Sequence, residues 1–169
     1  MKSQLLQQLQ HYYRYHQNST TQLTHYIGIP AIIISVIMFF NWFSLSYAHG
    51  HFFSLSYVVL AITLIYYAMA DRKSAILCAI WLIPTTVIVC LCSGYQPNIW
   101  TTSLCGIFFI GGWIAQLIGH YYEHQKPALT ENIMHIFSAP LFITYEIVWH
   151  LGFEKALQEK IKHFKYIRH

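Results

Sequence analysis

Four long apolar runs, separated by short polar segments, constrain the fold of this chain more than any other feature. They extend over residues 31–45, 52–70, 74–92 and 99–118. A helix that crosses a bilayer needs about 20 predominantly apolar residues. The last three runs provide them, and the first does so if it continues past Asn41 to Tyr47, with Pro30 in its first turn. The pattern predicts an all-α integral membrane bundle of about four transmembrane helices, forming one domain over residues 1–169.

Composition excludes several classes of protein. Only 9% of the 169 residues are charged and 56% are hydrophobic, whereas soluble domains carry about 25% charged residues. The basic residues are thinly spread, without an aromatic-interleaved stripe, so we expect no nucleic-acid partner. Glycine-rich phosphate loops, nucleophile elbows and HExxH motifs are absent, which argues against kinases and hydrolases.

Basic residues predict which ends of the helices face the cytoplasm. Lys2 and Arg14 precede the first run, Arg72 and Lys73 follow the second, and Lys126 follows the fourth. The two intervening loops contain no Lys or Arg. The N-terminus is therefore predicted to be cytoplasmic, and four crossings return the chain to that face. We expect location in a bacterial inner membrane or the endoplasmic reticulum.

The two ends of the chain have a different character. Residues 1–15 place Leu and Tyr at helical spacing, which predicts an amphipathic helix lying on the membrane or on the rest of the protein. Residues 133–153 are apolar but carry ionisable groups, which are costly at membrane depth. Since a fifth crossing would place the basic tail outside, we predict a re-entrant or interfacial C-terminal helix, bent near Pro140. Its His135 and Glu146 would then return to the cytoplasmic face as additional ligands or as groups that support them.

The chemistry is concentrated where the fourth run ends. On a helix, His120 and His124 share one face with Glu123 beside them, which forms a clamp for a divalent metal. His16 and His25 precede the first run, and an even number of spans brings both pairs to the cytoplasmic face. A single interfacial His is more often a hydrogen-bonded residue than a ligand, but two pairs at one face favour ligation of iron, zinc, copper or nickel.

Two smaller features bear on packing. The fourth run and the residue that follows it contain glycines that predict close helix contact, namely Gly106, Gly111, Gly112 and Gly119. The pentapeptide Phe-Ser-Leu-Ser-Tyr occurs at 43–47 and again at 53–57, around a predicted loop. A five-residue repeat predicts no architecture.

Taken together, these residues resemble a known family, the iron-dependent 2-hydroxy fatty acid dioxygenases of the fungal endoplasmic reticulum and their bacterial relatives. The likeness extends from about Tyr12 to Glu146. It rests on a Tyr-His-His-Gly series before the first span and a Trp-x-x-Gln-x-x-Gly-His series with a following Glu and Pro-Ala. The matching residues are Tyr12, Tyr13, His16, His25, Gly28, Trp113, Gln116, Gly119, His120, Glu123, Pro127, Ala128, Leu129, Glu131, Asn132 and 139–142.

The chain departs from the family pattern at two places. Thr21 stands where the family carries Asn, and the loop between His120 and Pro127 is one residue shorter. Either Glu123 replaces the family's Glu in a catalytic role, or His124 occupies its position as a ligand.

The resemblance implies an Fe(II) site that uses O₂ to cleave a long-chain 2-hydroxy fatty acid between C1 and C2. Carbon dioxide and a fatty acid one carbon shorter would result. The carboxylate would lie at headgroup level, near Lys126 or Arg14, and the alkyl chain would contact membrane lipid and the bundle. The alternative is a non-enzymatic membrane scaffold or a metal-binding or transport protein. A transporter, however, would place ionisable groups midway along several spans.

Overall fold

A computed structural model describes residues 18–47, 51–122 and 137–163, together with Leu6, Leu9, Gln10 and Tyr13. Within these residues the chain forms six helices and one antiparallel hairpin. In chain order they are α1 (Ser19–Asn41), β1 (Ser44–Tyr47), β2 (His51–Ser54), α2 (Leu55–Ala70), α3 (Arg72–Ser93), α4 (Ile99–Tyr122), α5 (Ser138–His150) and α6 (Lys155–His163).

The distribution of side chains is the reverse of that in a soluble protein. Large apolar side chains point outwards along the long helices, among them Ile65, Ile80, Leu91, Ile107 and Leu117. Polar side chains are buried between them, among them Thr21, His25, Asn41, Gln116 and His120. An apolar exterior of this extent is compatible with a membrane-embedded protein.

Three of the described helices, α1, α3 and α4, are long and apolar enough to cross a membrane, with 22 to 24 residues each. The second predicted span is shorter than expected, because α2 has 16 residues. At about 1.5 Å per residue it reaches roughly 24 Å, against a hydrocarbon core of about 30 Å. The first residues of that apolar run, 52–54, form part of strand β2 instead of the helix.

The repeated pentapeptide takes two different structures. Its first copy supplies β1, which pairs antiparallel with β2 so that Ser44 lies opposite Ser54. In the second copy the strand ends at Ser54, whose side chain caps α2 by accepting a hydrogen bond from the backbone N–H of Ser56 at 3.1 Å. The hairpin was not predicted, because pairing between strands depends on both segments and not on either alone.

Helix α1 begins earlier than the apolar pattern indicated. Asn18 caps it, its side chain accepting a hydrogen bond from the backbone N–H of Thr20 at 2.9 Å. Pro30 therefore lies inside the helix, and its predicted position in the first turn is wrong. At the other end Asn41 closes α1, and its buried amide donates to the carbonyl oxygen of Gly94 at 2.8 Å, beyond the end of α3.

Helices α1 and α4 form the most extensive helix contact in the described chain, and they run antiparallel. A Cβ added to Gly112 would lie 2.9 Å from the carbonyl oxygen of Gly28, and one added to Gly28 would lie 2.8 Å from the carbonyl oxygen of Gly112. Gly119 is equally crowded, whereas Gly106 and Gly111 face open space. Close contact was predicted for all four glycines of this run, and it is wrong for Gly106 and Gly111.

An apolar core lies between α2, α3, α5 and α6. Its buried members include Tyr67, Cys78, Leu82, Leu141, Phe142, Tyr145, Trp149 and Ile161. The described N-terminal residues Leu6, Leu9 and Tyr13 pack on this core, so this part of the chain lies on the protein. Leu157 packs against the core from α6, whose Lys155 and Lys160 are exposed, as expected for an amphipathic helix.

Both ends of α5 approach the turn between α2 and α3. The Tyr67 hydroxyl donates to the carbonyl oxygen of Phe137 at 2.7 Å, just before α5, while Lys73 forms an ion pair with Glu154, just after it. Pro140 lies in the first turn of α5, and the chain just before this helix lies outside the described residues, so the bend near Pro140 stays a prediction.

We predict that Gly112→Ala lowers stability while the adjacent Gly111→Ala does not. The new methyl group at position 112 would meet Ile32 and the backbone of α1, and overpacking of this kind typically costs about 1–3 kcal/mol. At position 111 the methyl group meets open space, and Ala is the better helix former. Thermal unfolding of both variants in detergent, followed by circular dichroism, checks this; equal midpoints for the two variants would contradict it.

Candidate metal centre

His25 and His120 lie side by side at one end of the bundle. Their ring centroids are 5.0 Å apart with the planes at 80°. His25 is 1% exposed and His120 is 7% exposed. The first comes from the N-terminal part of α1 and the second from the last turn of α4, so the antiparallel packing of the two helices brings the two imidazoles together.

Thr21 holds the His25 ring in one orientation. The Nδ1 atom of His25 lies 2.8 Å from the carbonyl oxygen of Thr21. Because a carbonyl oxygen can only accept a hydrogen bond, Nδ1 must carry the proton. In the neutral ring the lone pair is then on Nε2, the atom that a metal would use. The Thr21 hydroxyl also donates to the carbonyl oxygen of Gly119 at 3.0 Å, which joins α1 to α4 beside the two rings.

Gly119 provides the space that the His25 ring occupies. A Cβ at this position would lie 2.9 Å from Cε1 of His25 and 2.5 Å from the hydroxyl oxygen of Thr24. Any larger residue would therefore displace the ring or separate the helices. The Gly-His pair at the end of α4 thus supplies one imidazole and makes room for the other.

Several predicted site residues lie outside the described residues, namely Arg14, His16, Glu123, His124, Lys126 and His135. Their roles remain predictions. Within the described part of the chain, no three His, Cys, Asp or Glu side chains form a group able to hold a metal ion. The described part of the candidate centre is therefore the His25–His120 pair.

Glu146, predicted as an additional ligand or supporting group, lies in α5 and faces α1 at Tyr26. Its side chain is buried, with 5% exposure. Burial raises the pKa of Glu146 to about 7, and the neighbouring Tyr26 hydroxyl opposes that rise. Among the described residues, Glu146 and the two imidazoles do not form a group of three potential metal ligands. Its contact with Tyr26 instead links α5 to the helix that carries His25.

Gln116 lies one helical turn before His120 and is 7% exposed. Its amide nitrogen lies 3.0 Å from where a Cβ of Gly28 would be, and it has no hydrogen-bond partner among the described residues. The sequence did not predict the parts played by Gln116 and Thr21. Their positions four residues before His120 and His25, on the same helix faces, are the signal that could have found them.

A family model described as 2-hydroxy-palmitic acid dioxygenase Mpo1-like matches residues 3–151 of the chain. This chain belongs to the Mpo1-like family. The 2-hydroxy-palmitic acid dioxygenase MPO1 of Saccharomyces cerevisiae is 27% identical to it over 161 residues, which cover 94% of this chain and 88% of the yeast protein. No solved structure matches the chain.

The Mpo1-like match confirms the family resemblance seen in the sequence. It includes both described imidazoles, Thr21, Gln116 and Glu146, as well as the predicted site residues outside the described part. The helix contact that joins His25 to His120 therefore lies within the segment that defines membership of the family.

We predict that Glu146 contributes stability that is lost as the pH rises from 5 to 8, and that Glu146→Gln removes this pH-dependent contribution. Well below pH 4.5, the ordinary pKa of a glutamate carboxyl, Glu146 is protonated in both the folded and the unfolded states. At higher pH the unfolded chain releases the proton first, so the stabilisation from the neutral buried group declines and is gone above the folded pKa of about 7. The full change is about 3 kcal/mol.

Unfolding free energies measured in detergent across this range check the prediction. Glu159→Gln is the matched control, because Glu159 is exposed on α6. If Glu146→Gln and Glu159→Gln retain the same pH dependence as the unaltered protein, Glu146 is not the group responsible.

Proposed function

We propose that this protein is an Fe(II)-dependent dioxygenase that shortens long-chain 2-hydroxy fatty acids by one carbon. In the overall reaction a 2-hydroxy acid and O₂ give the fatty acid one carbon shorter, CO₂ and water. C2 is oxidised from an alcohol to a carboxyl group, C1 leaves as CO₂, and O₂ is reduced. Membership of the Mpo1-like family and the named activity of the yeast relative support this assignment.

The observation that carries the proposal is the contact between His25 and His120. Two buried imidazoles from distant parts of the chain meet at one end of the bundle. Because Nδ1 of His25 is hydrogen-bonded to Thr21, the lone pair on its Nε2 atom is the one available to a metal. This donor set fits a divalent transition metal. We propose that His16 and His124 complete the ligand set, since each is close in sequence to one of the pair.

When bound, iron would supply the binding of O₂ and the electron transfer that the oxidation requires. The chain's own residues would bind and orient the substrate. We propose that Lys126 or Arg14 receives its carboxylate, and that Glu123 acts in catalysis beside His120. Thr21 would keep the His25 ring in position, and the burial of both rings would exclude bulk water from the reacting atoms.

The fold suits an amphiphilic substrate. We propose that α1 to α4 all cross the membrane, with α2 as a short span, and that α5 and α6 lie at the cytoplasmic interface. The imidazoles would then lie at headgroup depth, where a carboxylate is solvated, while the alkyl chain enters the apolar region. Burying that chain gains about 0.8 kcal/mol per CH₂ group.

The direct test is incubation of the purified protein with 2-hydroxypalmitate and O₂. We expect pentadecanoate and CO₂ in equal amounts, with iron bound to the protein. His25→Ala and His120→Ala should each lower both conversion and bound iron, conversion by about 100-fold or more, since even groups that only support a ligand are worth about 10–100-fold.

His150→Ala is the matched control, because His150 is an exposed histidine on α5, a different helix from the two that carry the pair. It should retain both iron and conversion. Full conversion by His25→Ala or His120→Ala, or conversion without any bound iron, would be incompatible with the proposal.

A further inference from the structure

Gln116 has a buried donor for which the described part of the chain supplies no acceptor. Its side chain is 93% shielded from solvent, yet its amide nitrogen has no hydrogen-bond partner among the described residues. An unmade hydrogen bond on a buried polar group typically costs about 1–3 kcal/mol. In a helix that faces lipid on its other side, a Leu or Met at this position would avoid that cost.

The surroundings make room for the amide. Gly28 lies opposite Gln116 on α1, and a Cβ there would come within 3.0 Å of the amide nitrogen. The absence of a side chain at Gly28 thus leaves the space that the amide occupies between α1 and α4. A buried donor without a partner in a native structure needs an explanation, and a group bound beside it is one such explanation.

The position of Gln116 relative to His120 indicates which part of a bound fatty acid would lie beside the amide. Gln116 shares a helix face with His120 and lies about 6 Å further along the helix towards the middle of the bundle. Gly28 likewise lies one turn beyond His25 in the same direction. A fatty acid whose carboxylate is held at the imidazole end and whose chain points into the bundle would pass the amide just beyond its first carbon atoms.

We propose that the Gln116 amide donates a hydrogen bond to the 2-hydroxyl oxygen of the fatty acid and so selects hydroxylated over unhydroxylated acids. This inference rests on the substrate class of the proposed function and adds the residue that recognises it. Gln116 would be a substrate-binding residue, and its loss would weaken the binding of one acid only.

The test compares two ligands that differ by one hydroxyl group. Dissociation constants for 2-hydroxypalmitate and palmitate are measured on the full-length protein in detergent, for the unaltered chain and for Gln116→Met. Met keeps the length of the side chain and removes the donor. We expect the preference for the hydroxylated acid to fall about tenfold, while the affinity for palmitate stays within about twofold and the bound iron is unchanged.

Cys105→Ala is the control, because Cys105 lies on the same helix and contacts α1 at the carbonyl oxygen of Ser35, far from the imidazoles. It should keep the preference. An unchanged preference in Gln116→Met would overturn the assignment, and so would an equal loss of affinity for both acids, which indicates packing alone.

Turnover by the unaltered protein separates this inference from the proposed function. If the protein converts 2-hydroxypalmitate and Gln116→Met retains the full preference, only the role of Gln116 is wrong. If the unaltered protein neither binds nor converts the hydroxylated acid, the proposed function is wrong and the role of Gln116 is wrong with it.

Discussion

The close approach of α1 and α4 is the constraint on which the candidate centre depends. Apolar side chains gain little by leaving lipid for the interior of a bundle, so helices in membranes associate through close packing and interhelical hydrogen bonds. Here Gly28 and Gly112 bring the two backbones into contact, and Gly119 accommodates the His25 ring. The hydrogen bond from Thr21 to the carbonyl oxygen of Gly119 joins the helices at the same level. Without this contact the two imidazoles would not lie side by side.

The rest of the described chain supports that pair from one side. Helices α2, α3, α5 and α6 share an apolar core, on which N-terminal residues also pack. Glu146 reaches from this core to Tyr26 on α1. The molecule thus combines a pair of helices that carries the imidazoles with a packed group of helices that contacts α1 towards both of its ends. Polar contacts occur at the ends of the helices as well as between them, as Asn41 shows at the end of α1.

Much of this could be predicted from the sequence. Apolar runs of sufficient length indicated the long helices. An even number of spans placed His25 and His120 at the same end, and the structure brings these two residues together. The family could be recognised because its motif residues occur both before the first long apolar run and at the end of the last one. These inferences depend on local composition and on the number of predicted membrane spans.

What could not be predicted depends on which way each side chain faces. Lipid and protein interior are both apolar, so hydropathy does not distinguish Gly111, which faces open space, from Gly112, which touches α1. The β hairpin depends on pairing between two segments, and identical pentapeptides therefore gave no signal. The hydrogen bond from His25 to Thr21 follows from helical spacing, but its importance is clear only when His120 is seen beside the ring.

The origin of the two imidazoles has a consequence for how the protein is made. The bond between His25 and Thr21 lies within α1, so the orientation of the first ring is set as soon as the first helix forms. The second ring belongs to the end of α4, the last of the long helices to leave the ribosome. Synthesis of α4 must therefore be complete before the two rings can meet, and a nascent chain halted after α3 would present one oriented imidazole with no counterpart.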